Sequence, residues 1–172
     1  MNKKILRLFS ALAVGTACFS LAGGTETAMA LPNPMVSYES VAAARDAAGF
    51  QPLYLPSISG YRMNRVWVIG GDVIDMEYVS EDLPASKFRL RTARCTERMN
   101  EDISGIYGVK WEEESINGIP IAIADVPGAS NSYAAHWRHN NMLFSVSVEN
   151  MTNREFRRLL EYGLAEVTIN CF

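Results

Sequence analysis

The chain has 172 residues, of which 48% are apolar, 10% aromatic and 20% charged. This is the balance of a globular domain and excludes a disordered, collagenous or solenoid chain. A net charge of −3 at pH 7 offers no electrostatic attraction to nucleic acid or anionic lipid, so neither is expected as a partner.

The first thirty residues read as a leader. Lys3, Lys4 and Arg7 precede the apolar run Leu8 to Leu21, and Ala28-Met29-Ala30 supplies a small-x-small cleavage site. The run is shorter than the roughly 20 residues that span a bilayer. The pattern predicts a signal peptide over 1–30, cleavage near Ala30, one domain over 31–172 without a transmembrane segment, and an extracytoplasmic location, secreted or associated with the cell envelope. An uncleaved anchor and lipid attachment at Cys18 are the alternatives. Cleavage makes the remainder more acidic, because three cations leave with one carboxylate, Glu26.

Cleavage also leaves two cysteines, Cys95 and Cys171, which permit one disulfide in an oxidising compartment or two separate buried thiols. In the chain-entropy model, a loop of about 77 residues closed by such a bridge contributes at most about 4 to 5 kcal/mol. Neither cysteine has a CxxC neighbour, which disfavours zinc and redox chemistry.

Leu31-Pro32-Asn33-Pro34 reads as an extended lead-in. A helix follows, capped by Ser37 or Ser40, favoured by Ala42, Ala43, Ala44, Ala47 and Ala48, and stopped by Gly49. Gln51 to Gly60, with Pro52 and Pro56 among apolar residues, predicts an ordered loop on the core. Tyr61 to Ile69 and Val73 to Ser80 flank Gly70-Gly71-Asp72, a hairpin signal. In the next pair, Ile74, Met76 and Tyr78 alternate with Asp75 and Glu77, while Phe88 and Leu90 alternate with Lys87, Arg89 and Arg91. A plain hairpin sets Tyr78 opposite Phe88, Met76 opposite Leu90, Glu77 opposite Arg89 and Asp75 opposite Arg91, with the charges on the outer face and ion-paired across the strands.

Glu97 to Gly105 breaks the alternation and predicts a loop with a helical turn. Asn117-Gly118 predicts a type I′ turn between Val109 to Ser115 and Ile119 to Val126. Because a simple register places Ile121 and Ile123 beside Glu114 and Glu112, a bulge or a longer loop is expected there. Pairing Ser132 to Arg138 with Met142 to Glu149 opposes Trp137 to Phe144, Ala135 to Val146 and Tyr133 to Val148 on a core face. The chain closes with a helix announced by the capping box Thr152-x-x-Glu155 and by Phe156, Leu159, Leu160, Leu164 and Val167 at helical spacing. The predicted fold is α+β: an antiparallel sheet of about seven strands in hairpins, with N-terminal and C-terminal helices packed on one face.

Asn33-Pro34 with Tyr38 and Ala48-Gly49-Phe50, Asp102-Ile103-Ser104-Gly105 with Tyr107, Ala135-x-Trp137, and Phe144-Ser145-Val146 occur in an order that is similar to an exported domain-of-unknown-function family of Gram-positive anaerobes. That family also occurs behind membrane anchors of the anti-sigma type. The resemblance spans Asn33 to Leu164 and implies an extracytoplasmic domain. It brings no activity or catalytic residues with it. Cys95, Cys171 and the run Glu112-Glu113-Glu114 depart from the family pattern.

No catalytic constellation or cofactor motif emerges, and no metal site is expected. His136 and His139 fall on opposite strand faces, which disfavours a metal pair. His136 shares its face with Ser145 and Ser147, the one arrangement that suits a general base, although the sequence places no carboxylate behind it. Glu112, Glu113, Glu114 and Asp125 lack calcium-loop spacing and read as a solvated edge strand whose charge deters self-pairing. Trp67 and Trp111 are candidates to line an aromatic groove on the sheet face without helices, and Asp102, Ser104 and Tyr107 form a candidate binding loop. The reading is a non-catalytic module that binds a protein, peptide or envelope component. An extracytoplasmic hydrolase and a structural envelope protein are its rivals.

Overall fold

The alternating segments become eight strands in the computed structural model, which describes residues 34–55, 60–128 and 130–172. The leader, Cys18 and the start of the lead-in lie outside the described residues, as do 56–59 of the expected ordered loop. In chain order the elements are β1 (Met35–Tyr38), α1 (Val41–Ala48), β2 (Tyr61–Ile69), β3 (Val73–Ser80), β4 (Lys87–Arg94), β5 (Glu112–Ile116), β6 (Ile119–Asp125), β7 (Tyr133–His139), β8 (Met142–Glu149) and α2 (Asn153–Leu159). A π-helical turn (Leu160–Ala165) and α3 (Glu166–Cys171) continue α2 to the chain end.

The additional strand is β1, which is too short to show alternation and pairs from Met35–Ile69 to Tyr38–Val66 at the sheet edge. With Ser37 used in that strand, the cap of α1 is Ser40, whose Oγ accepts from the Ala43 N–H at 3.1 Å. All pairings are antiparallel, in the order β1-β2-β3-β4-β8-β7-β6-β5. Two four-stranded meanders therefore meet along β4 and β8. The expected registers are found between β3 and β4 and between β7 and β8, including Met76 opposite Leu90 and Trp137 opposite Phe144.

The β5–β6 hairpin differs from expectation. Asn117 and Gly118 take φ of 52° and 83°, as a two-residue type I′ turn requires, and the simple register stands, with Glu114 opposite Ile121 and Glu112 opposite Ile123. No bulge is needed because β5 ends the sheet, where carboxylates reach water and cations. Arg157 of α2 donates through both terminal nitrogens to Glu114, and Lys110 pairs with Glu112 at 2.8 Å.

One sheet face holds the main core. Ile74, Met76, Tyr78, Leu90, Phe144 and Val146 meet Ala44 of α1 and Phe156, Leu160 and Leu164 of the C-terminal helix. Tyr78 stacks on Phe88 with ring centroids 4.4 Å apart, and its hydroxyl accepts from the Leu55 N–H at 3.3 Å. Burial raises that phenol above its ordinary pKa. Trp137 donates its indole N–H to Thr168 Oγ1 at 3.2 Å, joining the sheet to α3. The capping box forms at Thr152 and Glu155, and the widened turn exposes the Glu161 carbonyl to the Asn117 side-chain amide at 2.7 Å.

Truncating Phe156 to Ala is expected to cost about 3 to 5 kcal/mol, against about 1 kcal/mol for Thr152→Ala, measured by urea unfolding. Acid titration supplies a second test. The Arg157 hydrogen bond holds the Glu114 carboxyl below its usual range, and hydrogen bonds from Thr152 do the same for Glu155. A carboxylate with a lowered folded-state pKa contributes stability that is complete above its unfolded pKa and is lost as pH falls through the folded value. NMR titration should therefore show both groups protonating later, as pH falls, than carboxylates in the unfolded chain.

Candidate functional site

The second face of the sheet carries a polar row fixed by strand register. From β2 to β5, Trp67 lies opposite Asp75, Asp75 opposite Arg91, Arg91 opposite Ser145, Ser145 opposite His136, His136 opposite Ala122, and Ala122 opposite Glu113. The sequence predicted a solvated face with the ion pairs Asp75–Arg91 and Glu77–Arg89; the first pair forms, whereas Asp75 is buried and Glu77 has a different partner. Asp75 is 0% exposed and takes both arginines: Arg89 Nη2 at 2.7 Å and Arg91 Nε at 3.1 Å. Glu77 instead accepts from Asn64 Nδ2 at 2.7 Å.

Asp75 is buried because residues 95–111 cross over this face. Ile103 packs with Val73, Ala93 and Leu143, and Cys95 and Met99 close the margin of that cluster. The expected helical turn is absent, and an isolated bridge between Thr96 and Met99 occupies that region. Arg91 Nη1 then donates to the carbonyls of Ile103 at 3.0 Å and Ser104 at 2.6 Å. One guanidinium thus neutralises the buried carboxylate and anchors the crossing segment. Gly105 passes so close that an added Cβ would lie 2.7 Å from Arg91 Nη1, and its φ of +69° also favours glycine.

This arrangement assigns places to the candidate loop residues. The Asp102 carboxylate accepts from the Ser104 N–H at 2.6 Å and from its hydroxyl at 2.9 Å, and Ser104 Oγ accepts from the Ile106 N–H at 3.1 Å. Asp102 and Ser104 therefore shape the loop with their own polar atoms. Tyr107 stands 89% exposed, with Gly105 and Gly108 at positive φ on either side.

Trp67 and Trp111 do not share a groove. Trp67 stands at the β2 end beside Arg89, whose guanidinium lies 5.2 Å from its ring centre. Trp111, at the far end, meets His136 in a T-shaped contact with centroids 4.5 Å apart. Near His136 lies a cleft of about 320 Å³ that is also lined by Glu101, Glu113, Pro120, Ala122 and Arg138. Ser145 is opposite His136 but only 2% exposed, and among the described residues no carboxylate hydrogen-bonds to His136. The pair therefore offers no accessible nucleophile oriented by an acid.

Of the two states open to the cysteines, the structure has separate thiols. Cys95 and Cys171 are free, the first half-buried against the second-face cluster and the second exposed at the end of α3. Among the described residues, no group of three or more His, Cys, Asp or Glu could hold a metal ion, and no helix is long and apolar enough to cross a membrane.

The residue that sequence reasoning undervalued is Arg91. Its signal was the pair of arginines in phase with one aspartate on the neighbouring strand, whereas its reach to the carbonyls of a distant loop leaves no trace in strand periodicity. Comparison with protein-family models gives no match for this chain, and comparisons with curated proteins and with solved structures give none either.

Removing Asp75 leaves two arginines facing a buried void, and Asp75→Ala is expected to cost about 3 kcal/mol. Arg91→Ala should accelerate hydrogen exchange at the amides of 103–106 while leaving β7 and β8 protected. Unchanged exchange in that segment would show that the apolar contacts of Ile103 hold it without the guanidinium.

Proposed function

We propose that the protein is a non-catalytic binding module, exported to the cell exterior or envelope, that takes a protein, peptide or envelope component on the segment around Tyr107. The observation that carries this reading is the combination of an 89% exposed tyrosine at the middle of the segment with a root fixed by Arg91. Tyrosine brings a large amphipathic contact surface at low entropic cost, and a fixed root limits the ordering penalty on binding. Four residues after Tyr107, Trp111 packs against His136, which lines the cleft with Glu101 and Glu113. The leader pattern and the resemblance to exported domains of Gram-positive anaerobes support the compartment.

The test is binding of the purified chain to isolated wall and membrane fractions, comparing the wild type with Tyr107→Ala. The expected outcome is at least about tenfold weaker binding by the variant, the effect of losing an interface anchor, with an unchanged melting temperature because Tyr107 packs against little. Equal binding by the two proteins would remove this segment from the interface.

A further inference from the structure

The two ends of the sheet are unequal. At one end is β1, four residues without a charge, just after Pro34. At the other is β5, where Glu112, Glu113, Glu114 and Ser115 are all exposed. A strand that ends a sheet has unpaired main-chain groups along one side, and these accept another strand unless something prevents it.

Side chains alternate between faces along β5, and each face has a cleft of about 320 Å³ beside the strand. On the helix-covered face both glutamates have cationic partners within the protein, Glu112 in Lys110 and Glu114 in Arg157, while Asp125 lines the same cleft. On the second face Glu113 and Glu101 line the same cleft, and neither carboxylate has a hydrogen bond or ion pair among the described residues. Arg138, the one cation there, directs its Nε to the Asn140 carbonyl at 3.3 Å.

This charge pattern discriminates between occupants. A second copy pairing through its own β5 would set glutamates against glutamates, which is repulsive across strands. A strand carrying lysine or arginine meets the opposite charge. We infer that the β5 edge accepts an extended basic peptide as a further strand, its main chain pairing with β5 and a cationic side chain entering the cleft of Glu113 and Glu101. The charges that forbid self-association thus select the ligand. The inference rests on the binding-module reading and names a ligand class for it.

Fluorescence anisotropy with short labelled peptides tests it. One peptide alternates lysine and threonine, a second has glutamate for lysine, and two more are the lysine peptide N-methylated on one or the other set of alternate backbone nitrogens. The expected result is that the lysine peptide binds, binding weakens with salt, the glutamate peptide does not bind, and only one of the two N-methylated forms loses affinity. Glu113→Lys and Glu101→Lys, both at exposed positions, should each weaken binding about tenfold without altering thermal unfolding. Equal binding of the glutamate peptide, equal binding of both N-methylated forms, or no binding of the lysine peptide would each overturn the inference. If the lysine peptide fails while Tyr107-dependent binding to envelope fractions persists, the basic-strand inference alone falls. If both fail, the binding-module reading falls with it.

Discussion

A carboxylate with no exposure to water, Asp75, governs the second face of this protein. Burying such a group costs several kcal/mol unless opposite charge and hydrogen bonds meet it. Here Arg89 and Arg91 do so, and Arg91 has a donor left over for the carbonyls of Ile103 and Ser104. Covering the aspartate and fastening the segment above it are consequently one event. Without the segment the carboxylate would be hydrated and its pull on Arg91 weak. Without the carboxylate, Arg91 would lose the partner that aims it.

The helix-covered face needs no such device, because its side chains are apolar and its helices are held at their ends. The capping box at Thr152 sets where the C-terminal helix begins, Arg157 ties its first turns to β5, and Thr168 receives the Trp137 indole near its end. The two faces thus differ in balance: one is stabilised by area removed from water, the other by a small apolar cluster around Ile103 and a few directional contacts around a single charge. That difference places the exposed tyrosine and the mixed-charge cleft on the second face.

Strand positions and registers were legible because one face is buried, and a one-residue slip would turn Ile74, Met76 and Tyr78 out of the core. Hairpins closed by Gly70-Gly71 and Asn117-Gly118 carry their turn chemistry in the sequence. The β5 register was misjudged because pairing glutamates beside isoleucines looks unfavourable until β5 is known to end the sheet. Strand β1 was missed for its brevity. The π-helical turn leaves the apolar spacing of Phe156, Leu160 and Leu164 intact, so periodicity does not reveal it. The candidate site was legible only in part. Tyr107 and Trp111 were marked as residues, but the crossing segment that raises one and seats the other depends on contacts between distant parts of the chain.

The order of the strands has a kinetic consequence. Within each meander every strand pairs with its neighbour in sequence, so β2 to β4 and β5 to β8 can each form through short loop closures, while β1 joins β2 across α1. Only the seam between β4 and β8 requires closing the whole intervening stretch, and such long closures are slow. Until that seam closes, β4 and β8 are inner edges at which another unfinished chain can pair in error. The segment from 95 to 111 links the two meanders and lies across the seam's second face, so the seat of Ile103, made by Ala93 of β4 and Leu143 of β8, exists only where the seam has closed.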